Sequence, residues 1–303
     1  MRFLHFSDTH EDVTPTLDVV NLIKGGGFDI AVHTGDLVYD YFEGDISYAQ
    51  MQNYCFTPGN HDTILKSATD PEGYHWEIQP TAQQLYQKFF APFKEALGIT
   101  IGVNESWWYK DIGNVRFIGF NSCARGVENT KQLEFANRIL KDAFDRKMNV
   151  AVFSHYADHR TWVTGCTFTS RGYFDKYGIG ISDTSVYPAI EPLFDTVDSY
   201  YRSGLNVIGW FVGHEHADGV ITEKGYPIVM VGSVKIDKFN DVSRNSGAYT
   251  SRTCCNLCEF DEDMNTLKVF RLGADNVNGG GYRLMFSYDL GERRIASQCS
   301  AYR

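Results

Sequence analysis

Apolar runs rich in β-branched and aromatic residues alternate with helical patterns through the first two-thirds of the chain, as expected of βα units stacked about a core sheet. Arg2 to Ser7 predicts a strand, Thr16 to Ile23 a helix and Phe28 to His33 a second strand, with Gly25-Gly26-Gly27 breaking the helix from the strand. A third strand ends at Thr57. Between Thr81 and Leu97 the apolar residues Leu85, Phe89, Phe90, Phe93 and Leu97 recur on one helical face, and Ser106 to Asn121 alternates like a hairpin about Gly113-Asn114. Lys131 to Phe144 reads as another amphipathic helix. Asn149 to Ser154, Val207 to Val212 and Pro227 to Val231 read as buried strands, and Cys254 to Phe260, Lys268 to Arg271 and Arg283 to Tyr288 as a β-rich ending. Tyr156 to Ser185 and Asp275 to Gly281 look like insertions. With no Pro/Ser-rich linker, the expectation is one domain over 1–303, its core at about 1–235 and its β-rich C-terminal part at about 236–303.

The polar residues fall in a telling place, at the C-terminal ends of successive predicted strands. They are Asp8-Thr9-His10, Gly35-Asp36, Gly59-Asn60-His61-Asp62, His155 and Gly213-His214-Glu215-His216. Strand ends are where open α/β sheets place their sites. Imidazoles, carboxylates and a side-chain amide together make a mixed N/O donor set that suits Mn, Fe, Zn or Ni. Singly each element has a plainer reading: Asp-x-His as a helix cap, Gly-Asp and Asn-His as turns, His155 as a hydrogen-bonded core histidine. The Gly-His-x-His pair says more, because alternate residues of an extended segment point the same way and both rings reach one centre if the chain leaves the sheet at Gly213.

In this order, each behind its own strand, the elements resemble the calcineurin-like metallophosphoesterase superfamily over roughly residues 1 to 235. The resemblance implies an α/β fold of two packed mixed β-sheets flanked by helices, a four-layer sandwich, here with a β-rich C-terminal extension. It implies a two-metal centre in which Asp8, His10 and His216 hold one divalent ion, Asn60, His155 and His214 hold the other, and Asp36 bridges them, with manganese the first expectation and Fe, Zn or Ni the alternatives. Paired ions roughly 3.5 to 4 Å apart clamp the attacking and leaving oxygens of an in-line phosphoryl displacement, and a hydroxide bridging them is the implied nucleophile. The catalytic residues implied are His61, a non-ligand histidine near the leaving oxygen, and Asp62, which would orient the His61 ring by hydrogen bonding.

Gly35-Asp36-Leu37-Val38-Tyr39 also matches the Gly-Asp-x-x-Tyr of purple acid phosphatases, where the tyrosine ligates iron. That group opens with Asp-x-Gly, however, and here His10 fills the place the tyrosine would take, so the Asp-x-His form looks more like the phosphodiesterase and DNA-repair nuclease branches. Asp40, Glu43 and Asp45 read as a solvated acidic turn, and His5 and His33 as satisfied core groups, although His33, Ser7 and Thr34 precede ligands and are placed to tune them. The segment after His155 carries His159, Arg160, Trp162, Arg171, Tyr173, Phe174, Lys176 and Tyr177, and is the candidate substrate-recognition lid.

Composition narrows the partners. With 303 residues, 43% of them hydrophobic and 15% aromatic, the chain buries a core without disulfides and is too apolar for disorder. Its 28 Lys and Arg against 38 Asp and Glu give a formal charge of −10, and no basic run exceeds a pair, which disfavours nucleic acid as a partner. No stretch approaches the roughly 18 to 20 apolar residues of a membrane span. The seven cysteines are unevenly spaced, and Cys254-Cys255-x-x-Cys258 lacks the second pair of a zinc ribbon. Reduced thiols and a start without a secretory signal point to a cytoplasmic site. The function expected is metal-dependent hydrolysis of a phosphoester, as a phosphodiesterase or phosphomonoesterase on a small or medium phosphorylated molecule. The alternatives are a nuclease and a non-catalytic protein-binding scaffold with this fold.

Overall fold

Arg2–Phe6 (β1) is buried from its second residue on, and Ile30–His33, Val115–Gly119 and Asn149–Phe153 are buried throughout, as befits strands covered on both faces. In this computed structural model residues 1–63, 65–66, 74–75, 79–124, 126–157, 190–214, 216, 219–222, 224–234, 254–273 and 281–298 are described. After β1 come α1 (Val13–Lys24), β2 (Ile30–His33), β3 (Cys55–Phe56) and a minimal hairpin of β4 (Leu65–Lys66) and β5 (Tyr74–His75). Next come α2 (Ala82–Leu85), α3 (Lys94–Leu97), β6 (Trp108–Ile112), β7 (Val115–Gly119), α4 (Val127–Asp145), β8 (Asn149–Phe153) and α5 (Ile190–Arg202). The remainder is strand: β9 (Asn206–Val212), β10 (Gly219–Ile221), β11 (Ile228–Met230), β12 (Cys254–Asp261), β13 (Thr266–Gly273), β14 (Gly281–Asp289) and β15 (Arg294–Gln298).

Two of these outcomes correct the sequence reading. The single helix expected from Thr81 to Leu97 is broken: a Thr81–Gln84 capping box starts it, Tyr86–Phe90 widens into a π-turn, and only Lys94–Leu97 resumes. Pro92 explains the break, since its ring offers no amide hydrogen and crowds the preceding turn. The helix α5 went unread, although Ile190, Leu193, Phe194 and Val197 fall at helical spacing and are all buried.

Two sheets pack face to face. The first has seven strands in the order β15-β14-β13-β12-β1-β2-β3, the second six in the order β10-β11-β9-β8-β7-β6. Parallel pairing runs through β1, β2 and β3 in one and β7, β8, β9 and β11 in the other. The C-terminal strands complete the first sheet, because β12 pairs antiparallel with β1, Leu4 opposite Leu257. Between the sheets Phe3 meets the edges of Phe117, Phe153 and Phe211 at 5.5, 6.0 and 5.1 Å. Outside the second sheet α4 and α5 share a core built on Phe135, Ile139, Phe194 and Trp210. No helix among the described residues is long and apolar enough to cross a membrane. The parallel strands of both sheets end along one edge, where Val234 N–H donates to Ser7 O (3.0 Å) and Gly213 N–H to His155 O (3.1 Å).

Candidate metal centre

Three of the polar clusters leave their strands through backbone that ordinary residues avoid. Asp8, His10, Asp36, His214 and His216 have φ of 56, 44, 58, 71 and 53°. The left-handed region costs a non-glycine residue roughly 1–2 kcal/mol, and such strain gathers where a site over-determines it. Glycines supply the remaining closeness. A Cβ on Gly59 would lie 2.2 Å from Asp36 Oδ1, and one on Gly213 1.9 Å from Ser7 Oγ.

The side chains converge. Asp8, His10 and His216 bring ligand atoms within 4.8 Å of one another, as do Asp36, His155 and His214, and likewise His10, Asp36 and His61. Asp36 stands between the groups: its Oδ2 lies 3.3 Å from His155 Nε2, 3.8 Å from His10 Nε2 and 4.0 Å from His61 Nε2. Asp8 Oδ1 lies 3.2 Å from His216 Nε2, and Asn60 Oδ1 2.9 Å from His155 Nε2. The Thr34 carbonyl accepts from His155 Nδ1 (2.7 Å), which leaves Nε2 to face the cluster. His10 and His216 bring their Nε2 atoms to 3.1 Å, so at most one of that pair carries a proton between them. His214 N–H donates to Asp8 Oδ2 (3.0 Å), and Ser233 Oγ to Asp8 O (2.7 Å). The rings of Tyr39 and Tyr156 flank the cluster, Tyr39 stacked on His10 at 4.9 Å and Tyr156 tilted on His214 at 4.3 Å.

The model of the calcineurin-like phosphoesterase family matches residues 1–218. The chain belongs to that family. Among solved structures its fold is similar to a dimetal phosphatase from Danio rerio, at 13% identity and a TM-score of 0.54, over 92% of this chain and 97% of that one. It is similar also to GAP50, the anchor in the inner membrane complex of Plasmodium, at 12% identity and a TM-score of 0.50, over 99% and 90% of the two chains. No curated protein matches the sequence.

The electrostatics of this candidate centre suit cations. Burial raises the Asp36 carboxyl, but the charges of His155 and His61 outweigh it and hold the group well below the usual carboxylate range. Asp8 behaves alike, burial being overcome by His216. Burial opposes charge on His155 too, yet Asp36 prevails and raises its imidazole to about 9, whereas burial lowers His10 and His214 to about 3. The donor set has a loose end of the kind a metal satisfies: the buried Asp8 Oδ1 makes no hydrogen bond and faces the His216 ring nitrogen at 3.2 Å. The residues therefore fit the two divalent ions that the family implies.

Several expectations change. Asp62 does not bond to the His61 ring. Its carboxylate accepts four backbone N–H groups, from Asp36 (2.7 Å), Gly59 (2.8 Å), Leu37 (3.0 Å) and Val38 (3.1 Å), while His61 Nδ1 lies 3.2 Å from the Tyr39 carbonyl. Burial and the Asp36 charge push Asp62 up to about 7 against the pull of those amides. Asp40 is buried rather than solvated, its Oδ1 accepting the Phe42 and Glu43 N–H groups, while Glu43 and Asp45 are exposed. His5 is only half satisfied, with Nε2 on Thr34 Oγ1 at 3.0 Å and Nδ1 unbonded. Cys254, Cys255 and Cys258 are thiols buried in β12, in keeping with the reduced state expected. The candidate lid beyond Ala157, with all its named cations and aromatics, lies outside the described residues, as does nearly all of Asp275 to Gly281.

Proposed function

We propose that this chain hydrolyses phosphoesters at a two-metal centre, acting as a phosphodiesterase or phosphomonoesterase on a small or medium phosphorylated substrate. One ion is assigned to Asp8, His10 and His216, the other to Asn60, His155 and His214, with Asp36 shared. The observation that carries the reading is the single oxygen Asp36 Oδ2, which lies within 4.0 Å of ring nitrogens from both sets. Manganese is the ion proposed, with Fe, Zn or Ni also suited to this N/O set. When bound, such ions polarise a phosphoryl group and bring the pKa of water toward neutrality.

The chain's own residues do the rest. Asp8 and Asp36, held ionised by the facing histidines, supply the negative charge that gathers the cations. Thr34 fixes the His155 ring through Nδ1, so that its donor atom arrives already aimed. His61, tied through Nδ1 to the Tyr39 carbonyl, turns Nε2 toward the cluster and is the group assigned to the leaving oxygen. The direct test is hydrolysis of bis(p-nitrophenyl) phosphate beside p-nitrophenyl phosphate after reconstitution with Mn²⁺, with Asp36→Asn as the blank. Faster turnover of one ester assigns the class. A wild type no faster than the blank on both esters counts against an enzyme and for a binding scaffold.

A further inference from the structure

We infer that Asp62 and His33 are positioning residues that set the Asp36 turn from two sides and so fix the one carboxylate oxygen that both ions share. The inference rests on the two-ion reading above. Gly35 and Asp36 are both left-handed, with φ of 100 and 58°, so the turn needs an outside hold. On one side the N–H groups of Asp36, Leu37 and Val38 converge on the Asp62 carboxylate at 2.7, 3.0 and 3.1 Å. Successive amides aimed at one anion form a nest, and here the anion is part of the chain itself. The exchange is reciprocal, because the loop that carries Asp62 returns His61 N–H to Asp36 Oδ1 at 2.9 Å. With Oδ1 engaged, Oδ2 is left for His10, His61 and His155.

His33 holds the other side. Gly35 N–H donates to its Nδ1 at 3.1 Å, which puts the ring proton on Nε2. Nε2 then donates to Thr9 Oγ1 at 3.2 Å, and that hydroxyl donates to Leu37 O at 3.3 Å. One buried ring therefore ties the turn to the loop between Asp8 and His10. Neither His33 nor Asp62 belongs to any of the three groups able to hold an ion. Their hydrogen bonds go to the turn's backbone, to Thr9 and, from Asp62, to Gly59 N–H at 2.8 Å, so both act through the backbone that carries Asp36.

The test titrates metal-free protein with Mn²⁺ and follows low-temperature electron paramagnetic resonance. Wild type is expected to take up two ions per chain with the exchange-coupled spectrum of a close pair. Asp62→Asn turns one acceptor oxygen into a donor facing amide hydrogens. It is expected to weaken the second ion by roughly 10- to 100-fold and to erase the coupling, with an unchanged circular dichroism spectrum. His33→Phe keeps a ring but loses both bonds and should act in the same direction. His33→Asn, whose side-chain oxygen restores an acceptor near Nδ1, should recover most of the loss. If Asp62→Asn does not fold, the two His33 variants decide. Variants that bind two ions with wild-type affinity and coupling overturn the inference. A wild type that takes up no Mn²⁺ overturns the two-ion reading, and this inference with it.

Discussion

The two proposed ion sets each bring two histidines, one set adding the Asp8 carboxylate and the other the Asn60 amide, and they differ also in how they are held. In the set of Asn60, His155 and His214, the His155 side chain is 0% exposed, its Nδ1 is fixed on the Thr34 carbonyl, and in the metal-free protein Asp36 keeps it protonated near neutrality. In the set of Asp8, His10 and His216, the His216 side chain is 19% exposed, His10 is neutral, and Asp8 carries an unbonded oxygen. One set must expel a proton to accept a cation, while in the other His10 is already deprotonated. Burial alone does not decide a histidine's state, since His10 and His155 are both buried and shift in opposite directions. What separates them is their partners: His155, 3.3 Å from Asp36, also gains hydrogen bonds to that carboxylate and to the Thr34 carbonyl, whereas His10, 3.8 Å away, faces the opposing charges of His216 and His61.

The largest effect expected is that of Asp36→Asn, which strikes both sets at once. Metal analysis should find ions lost, and turnover should fall on the order of a thousandfold, matching the several kcal/mol of charge stabilisation a metal supplies. Retention of both ions would show that the sets do not share this carboxylate. Next comes His61→Ala, expected to lower kcat about 10²- to 10⁴-fold while two ions stay bound. If the ions left with the ring, His61 would be a ligand, as its grouping with His10 and Asp36 allows.

A third expectation separates the sets by pH. Because His155 is raised to about 9 without metal, each unit of pH below that value should cost its set about tenfold in apparent affinity. His10, lowered to about 3, imposes no such cost over the same window. Calorimetric Mn²⁺ titrations between pH 6 and 9 should therefore show one steep and one shallow site, and two parallel slopes would erase the contrast. The same shift makes a statement about the metal-free fold: protonated His155 adds stability below pH 6.5, and that contribution is lost as pH rises through about 9. The smallest effect belongs to Tyr39→Phe, which keeps the ring on His10 and should leave metal content unchanged and kcat within about threefold. Loss of an ion would instead favour the purple-phosphatase form of the motif.

The residues proposed as ligands stand out because chemistry at a sheet edge must interrupt apolar strands, and Asp8, Asp36, Asn60, His155 and His214 each follow such a run within a few residues. The family resemblance read on those residues agrees with the family match. What the sequence hid was mostly backbone. The partners of Asp62 are amides, and an amide has no letter of its own, so a hydrogen bond to the His61 ring looked natural where four main-chain donors stand. Helix α5 was legible in its spacing yet follows a stretch of sequence rich in glycine, threonine and aromatics. The break at Pro92 was written in one letter, but five apolar residues on a face outweighed it. The place of β12 beside β1 was not readable, since register between distant strands leaves no local trace.

That pairing has a consequence in time. The N-terminal amine of Met1 donates to Phe260 O, a partner 259 positions later, and Leu4 waits for Leu257. On a ribosome adding about 5–20 residues per second, the strand that leads to Asp8 and His10 emerges early and keeps one edge open for tens of seconds. Closure is thus deferred until the residues about Leu257 have been made, which makes this a slow, non-local assembly with an aggregation-prone interval. A nascent chain halted at the family boundary of residue 218 would hold every proposed ligand and still lack the neighbour that seals their first strand.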